Sequence, residues 1–201
     1  MSAPKQFQAA RYPYSDVVSL VKNLAKKKGR VLEIGSGTGN NLVFFAENGY
    51  ETHGIDIDIE ALSYSKIFLR EKKVKATVAV ADMAELPYKS NFFHIVLDRG
   101  SIQHNQLPKI KKIIAEAARV LKKGGLFMIV NMRSQEDSAA KNFLKAPTFK
   151  HYDYVHFTAK KELQQLLKNQ FKIIHLEHVI RDSSVPKHYR YASYVVVAQK
   201  I

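Results

Sequence analysis

The chain reads as an α/β protein built on a mostly parallel sheet, and three observations carry that reading. The apolar, strand-like run Val31-Leu32-Glu33-Ile34 ends in glycines at alternate positions, Gly35, Gly37 and Gly39, and an apolar helical segment, Leu42–Ala46, follows at once. Strand-like stretches and amphipathic helical stretches then alternate, the order expected when crossover helices cover a parallel sheet. Finally, Leu126–Val130 is apolar without interruption, as a central strand buried on both faces should be.

Taken in order, the elements are as follows. Arg11-Tyr12-Pro13 precedes a helix opened by Ser15 and Asp16, with Val17, Leu20, Val21 and Leu24 on one face. At the glycine turn, backbone N–H groups can approach a ligand that a Cβ would push away. The dinucleotide fingerprint does not fit, because the third glycine falls one residue early and Asn40 holds its place. No Gly-Lys-Ser/Thr follows, so a P-loop does not fit either. Glu51–Asp56 reads as a second strand ending in a carboxylate, at the distance of about 20 residues where such a group grips a ribose diol. Asp58 is better placed than Asp56 to cap the next helix, whose apolar positions include Ala61, Leu62 and Leu69. A third strand, Lys75–Val80, precedes Asp82, and a fourth, Phe93–Leu97, precedes Asp98-Arg99-Gly100-Ser101. Ile110, Ile113, Ile114, Ala117 and Leu121 form one helical stripe. Lys122, Lys123 and the Gly124-Gly125 pair read as that helix's C-terminus. Asn131–Phe157 is irregular and rich in polar and aromatic groups, including Arg133, Asp137, Asn142, Phe149, His151, Tyr152, Tyr154 and His156; connections of this length carry function or are disordered. Thr158 reads as the N-cap of a helix carrying Leu163, Leu166 and Leu167. Two strands, Phe171–Val179 and Tyr191–Ala198, close the chain around a loop with Pro186, His188 and Tyr189.

Glu33, two residues before Gly35-x-Gly37-x-Gly39, resembles the first motif of the class I S-adenosylmethionine-dependent methyltransferases, Glu/Asp-x-Gly-x-Gly-x-Gly. The run from Asp98 through Asn105, the Arg-Tyr-Pro entry and the short chain are similar to small stand-alone bacterial members. The resemblance implies a Rossmann-like seven-stranded sheet of order 3-2-1-4-5-7-6, strand 7 antiparallel, with helices on both faces. It implies S-adenosyl-L-methionine as cofactor, held by Glu33, Gly35, Ser36, Gly37, Gly39 and Asn41, with Asp56 and Ile57 toward the sugar. Asp82 and Met83 then hold the adenine, and Asp98 and Arg99 lie beside the sulfonium. Arg11 or Tyr12 would bind the methionine carboxylate; a surface arginine and a packing tyrosine are the alternative. His104 is the first candidate for a base that takes a proton from a hydroxyl acceptor, against the alternative of a turn histidine. Arg133, His151 and His156 are further substrate-side candidates. The motif Asn/Asp-Pro-Pro-Tyr/Phe, which grips planar amino groups, is missing after the fourth strand.

With 201 residues and 46% hydrophobic content the chain can bury a full core without disulfides. It has no cysteine, which excludes thiol-nucleophile methylations. A single domain is expected: an N-terminal helix or lid over 1–28, a cofactor-binding core over 30–130, a substrate-side loop over 131–157, and a C-terminal helix and hairpin over 158–201. No apolar run approaches ~20 residues and the first residues hold no apolar signal core, so no membrane span is expected and a cytoplasmic location follows by default. No metal is expected, since no carboxylate cluster accompanies Asp98. The net charge of +14 is spread over Lys26–Lys28, Lys72–Lys75, Lys109–Lys112, Lys122–Lys123 and Lys160–Lys161, mostly helix ends and exposed faces. A small-molecule acceptor, O-methylated before N-methylated, is therefore preferred to RNA, and a monomer or homodimer is expected. Two rivals stand beside this: an RNA methyltransferase using the basic surface, and a non-catalytic S-adenosylmethionine-binding module.

Overall fold

A computed structural model describes residues 10–25, 28–141, 153–185 and 188–201. Seven strands form one sheet: β1 (Arg30–Ile34), β2 (Glu51–Asp56), β3 (Thr77–Val80), β4 (Phe93–Arg99), β5 (Leu121–Arg133), β6 (Phe171–Ser183) and β7 (Tyr189–Lys200). Their order is β3-β2-β1-β4-β5-β7-β6. The first five pair in parallel, and β7 runs antiparallel to both β5 and β6. The order that the family resemblance implies is thus the order found. Among the described residues five α-helices accompany the sheet: α1 (Ser15–Leu24), α2 (Asn40–Glu47), α3 (Ile59–Glu71), α4 (Leu107–Val120) and α5 (Lys160–Leu167).

Both faces of the central strands are buried, and the side-chain period of two divides each strand between two cores. Leu32, Val96, Phe127, Ile129 and Val196 join the stripe Ile110, Ile113, Ile114 and Ala117 of α4 on one face. Val31, Ile95, Leu97, Met128, Val130 and Val197 meet Val17, Leu20 and Val21 of α1 and Phe44 and Phe45 of α2 on the other. This is why Leu126–Val130 shows no polar alternation.

Tertiary pairing moves several boundaries. The lysines and glycines after α4 do not end that helix. Leu121 is fully buried in an extended conformation and pairs with Phe93, so Lys122–Gly125 opens β5 instead. Thr158 does not cap α5 either. It is fully buried, its N–H donates to the Arg133 carbonyl, and it forms a parallel bridge with Ser134; α5 starts after Ala159 with no side-chain cap. β3 starts at Thr77 rather than Lys75, while β6 and β7 pair well beyond the expected spans, up to Ser183 and Tyr189. Asp58 does cap α3, accepting from the N–H groups of Glu60 and Ala61 at 2.8 and 3.0 Å.

The connection from β3 to β4 is fastened to α4. Glu116 accepts the Leu86 N–H at 2.7 Å, and Arg119 donates to the carbonyls of Tyr88 and Leu86 at 2.7 and 3.0 Å. Two substitutions test this account. Removing the cap with Asp58→Ala should lower unfolding free energy by about 1 kcal/mol. Phe45→Ala, at a fully buried ring against Phe44 and Tyr50, should lower it by about 3–5 kcal/mol. Urea midpoints with unchanged m-values would check both.

Candidate active site

In a parallel sheet the strands deliver their C-terminal ends to one edge, and ligands bind outside that edge where strand order reverses. Here β1 and β4 are the neighbours from which the order runs in opposite directions, and a cavity of about 680 Å³ opens beside their ends. That volume lies inside the range of roughly 300–1,000 Å³ typical of small-molecule sites.

The glycine turn forms the floor. Gly39 has φ +83 and hands the chain to α2. A Cβ on Gly37 would meet nothing within 4 Å, so this backbone borders open space. Its N–H donates to Asp56 Oδ2 at 2.8 Å, while Asp56 Oδ1 accepts the Asp58 N–H at 3.0 Å. Asp56 therefore ties the turn to the end of β2, and a carboxylate retains lone pairs for a diol after two such bonds. Ile57 stands at the rim, 69% exposed for all its apolar surface.

Glu33 is only 3% exposed and lines the cavity. Asn41 Nδ2 donates to its Oε1 at 2.7 Å, and its Oε2 is buried without a partner. Burial lifts its pKa to about 8, against the Asn41 hydrogen bond and with help from the nearby Asp98 charge. Asp98 stands behind the wall, fully buried. Its Oδ1 accepts the N–H groups of Ser101 and Ile102, both at 3.0 Å, which fixes the tight 3-10 turn Ile102–His104. Burial raises its pKa to about 7. Arg99 lines the cavity with its Nε buried and without a partner; its guanidinium lies 3.3 Å over the Tyr14 ring and reaches Asp16 Oδ2 at 3.3 Å. An unpartnered carboxylate oxygen and an unpartnered guanidinium nitrogen around one cavity suit a zwitterion, the amino-acid end of the expected cofactor.

At the other end Asp82 and Met83 line the cavity. Asp82 accepts from Lys109 Nζ at 2.8 Å and from the Ala84 N–H at 2.9 Å. On the β5 side the wall holds His104, Asn131, Arg133, Asp153 and Tyr154. The His104 ring nitrogen Nδ1 lies 3.3 Å from the Tyr154 carbonyl. Burial pulls its pKa down to about 4, opposed by the Tyr154 and Gly100 carbonyls and reinforced by the Arg133 charge. The imidazole is neutral at pH 7. Arg133 pairs with Asp137 and lies 4.2 Å over the Tyr191 ring.

The cavity gathers Glu33, Gly35, Ser36, Gly37, Asp56, Ile57, Asp82, Met83, Arg99, His104 and Arg133. Gly39, Asn41 and Asp98 support that wall from behind. Arg11 and Tyr12 do not reach it. Arg11 is held on α3 by Glu71 at 2.7 Å and lies over Phe68, while Tyr12 is 79% exposed and offers only its carbonyl, to Asn40. The entry segment contributes Tyr14 instead, whose N–H donates to Asn41 Oδ1 at 3.1 Å. His156 turns away to Glu162 at 3.1 Å. His151 lies outside the described residues. The sequence does not point to Tyr14 or Lys109, and Asn131 and Tyr154 enter it only as members of the substrate-side loop 131–157. Asn131 carried a usable signal, a polar residue directly after an apolar strand at the ligand-binding edge. Among the described residues no group of three metal-ligating side chains comes together, and no helix is long and apolar enough to cross a membrane.

A family model for a methyltransferase domain matches residues 31–125. An uncharacterized methyltransferase, YcgJ of Bacillus subtilis, is 32% identical over 116 residues, covering 57% of this chain and 45% of that protein. The uncharacterized protein MJ1123 of Methanocaldococcus jannaschii is 30% identical over 155 residues, 77% of this chain and 68% of that one. Apart from the latter, the chain spans about half the length of the first curated relatives it matches. A crystal structure of a SAM-dependent methyltransferase from Methanosarcina mazei superposes with a TM-score of 0.74 at 22% identity, covering 94% of this chain and 99% of that one. With its glycine motif, strand order and these relatives, the chain belongs to the class I S-adenosylmethionine-dependent methyltransferase family, whose cofactor is S-adenosyl-L-methionine.

Proposed function

We propose that the chain transfers the sulfonium methyl of S-adenosylmethionine to an oxygen of a small-molecule acceptor. The observation that carries this reading is Glu33, a buried carboxyl in the cavity wall with one oxygen held by Asn41 and the other unpartnered. A buried carboxyl so placed must either keep a proton or receive a cation, and an ammonium at the amino-acid end of the cofactor is that cation. Arg99 faces the companion carboxylate, braced by Tyr14 and Asp16. Asp56 takes the ribose and Asp82 the adenine amine.

When bound, the cofactor supplies an already activated methyl, so the chain's own work is alignment and proton handling. The glycine turn and the turn fixed by Asp98 are the two rigid walls that would flank the methyl. His104, neutral and on the β5 side, would take the acceptor hydroxyl's proton on a ring nitrogen as the oxygen bonds to the methyl carbon and the sulfur keeps the electron pair of the broken bond. An oxygen acceptor is favoured because its proton departs as the new bond forms, and a neutral imidazole in the wall is suited to that moment.

Three measurements test the reading. Affinity for S-adenosylhomocysteine should rise with pH between about 6 and 8. Glu33, lifted to about 8 while the site lacks a cation, must lose its proton as the ammonium docks, so binding releases a proton and tightens until that carboxyl is ionised. Calorimetry in buffers of different ionisation enthalpy would register it; a flat profile overturns the assignment to Glu33. Arg99→Met should weaken S-adenosylhomocysteine by about 10–100-fold, yet hardly touch 5′-methylthioadenosine, which lacks the amino-acid end. His104→Gln should lower transfer of tritiated methyl to the small-molecule fraction of a cell extract by about 10²-fold or more while leaving S-adenosylhomocysteine affinity intact. Absence of S-adenosylhomocysteine binding, with ATP or NADH bound instead, would overturn the whole reading.

A further inference from the structure

Three non-glycine residues among the described ones have positive φ: Lys73, Asn91 and Asn131. Lys73 follows the end of α3 and Asn91 precedes β4, both ordinary turn positions. Asn131, with φ 66, interrupts the central strand β5. Val130 pairs with Val195 and Met132 with Tyr194, so Asn131 is the extra residue of a bulge. Bulges beside active sites re-aim a side chain, and asparagine tolerates the left-handed conformation better than most residues.

The side chain it re-aims lines the cavity. Its Oδ1 is already occupied, accepting the Tyr191 hydroxyl in a short hydrogen bond. That hydroxyl accepts in turn from Ser193 Oγ at 3.2 Å, and the Tyr191 ring lies against the Arg133 guanidinium. With Oδ1 placed on that hydroxyl, Nδ2 is the end of the amide on the opposite side. Nδ2 is turned toward Gly100, where a Cβ would come within 3.3 Å of it. Gly100 belongs to the cavity wall as well. The amide therefore presents N–H donors to the space between the ends of β4 and β5, beside His104 and the donor-only Arg133. An exposed Asp153 is the acid on this side.

We propose that Asn131 is a specificity-determining residue that donates its amide N–H to an oxygen of the acceptor, and that the acceptor is a hydroxylated compound with a carbonyl, carboxylate or phenolate oxygen next to the hydroxyl that is methylated. This rests on the methyltransferase reading above. Tyr191 and Ser193 act as positioning residues, since their linked hydroxyls hold the amide at the cavity wall. Strain concentrated at one cavity-lining position of an otherwise regular strand fits a role in recognition.

The test uses the full chain saturated with S-adenosylhomocysteine, with salicylate and o-cresol as probes. Salicylate carries an oxygen beside its hydroxyl and o-cresol a methyl group. The side-chain amide signals of Asn131 are identified in nitrogen-15 spectra by their loss in Asn131→Gly, which keeps the positive φ. Salicylate should shift these signals and bind about tenfold more tightly than o-cresol, the scale of one hydrogen bond to a charged group. Asn131→Gly and Asn131→Asp should each erase that preference while S-adenosylhomocysteine affinity stays within twofold. Absence of any salicylate preference, or a preference that survives in both variants, overturns the proposal. Failure to bind S-adenosylhomocysteine at all overturns the methyltransferase reading first, and with it this one.

Discussion

A carboxyl group cannot leave water without a partner or a proton, and Glu33 has half of what it requires. The single hydrogen bond from Asn41 fixes where α2 must begin. Asn41 is the second residue of that helix, so the chain has to turn sharply just before it, which it does through Gly39 in a left-handed conformation. The Asn41 side-chain oxygen then takes the Tyr14 N–H, which brings α1 down onto the same face of the sheet. Tyr14 in turn places its ring under Arg99. One buried acid thus orders the glycine turn, the first two helices and the cation at the end of β4.

Much of this is legible in the sequence. The alternation of strand and helix, the glycine motif and the carboxylates Asp56 and Asp82 were sufficient to place the sheet edge where the cavity forms. The reason is that backbone requirements there are severe and only a few residue types satisfy them. Asp58 was readable as a cap for the same reason, since the N–H groups at a helix start accept few partners.

What was not legible depended on pairing between distant segments. Lys122–Gly125 has every local mark of a helix end, yet Leu121 is drawn into β5 by Phe93, nearly 30 residues earlier. Thr158 has the composition of a cap, and the Arg133 carbonyl takes its N–H into a bridge instead. Arg11 and Tyr12 suggest themselves because an arginine fork or a phenol suits a carboxylate. Glu71 of α3 claims Arg11, and no local pattern announces that contact. Asn131 does not stand out within the 131–157 segment because a bulge is invisible until the register of β5 against β7 is known.

The bolt from Glu116 and Arg119 to Leu86 and Tyr88 gives the cavity two mechanically unlike halves. The loop bearing Asp82 and Met83 is anchored to a core helix, so the socket proposed for the nucleoside is a fixture of the scaffold. The opposite wall comes from a bulged strand end and the segment at 153–154 that follows it. On the proposed reading, evolution could exchange the acceptor by rewriting one flank and leave the socket for the methyl donor untouched.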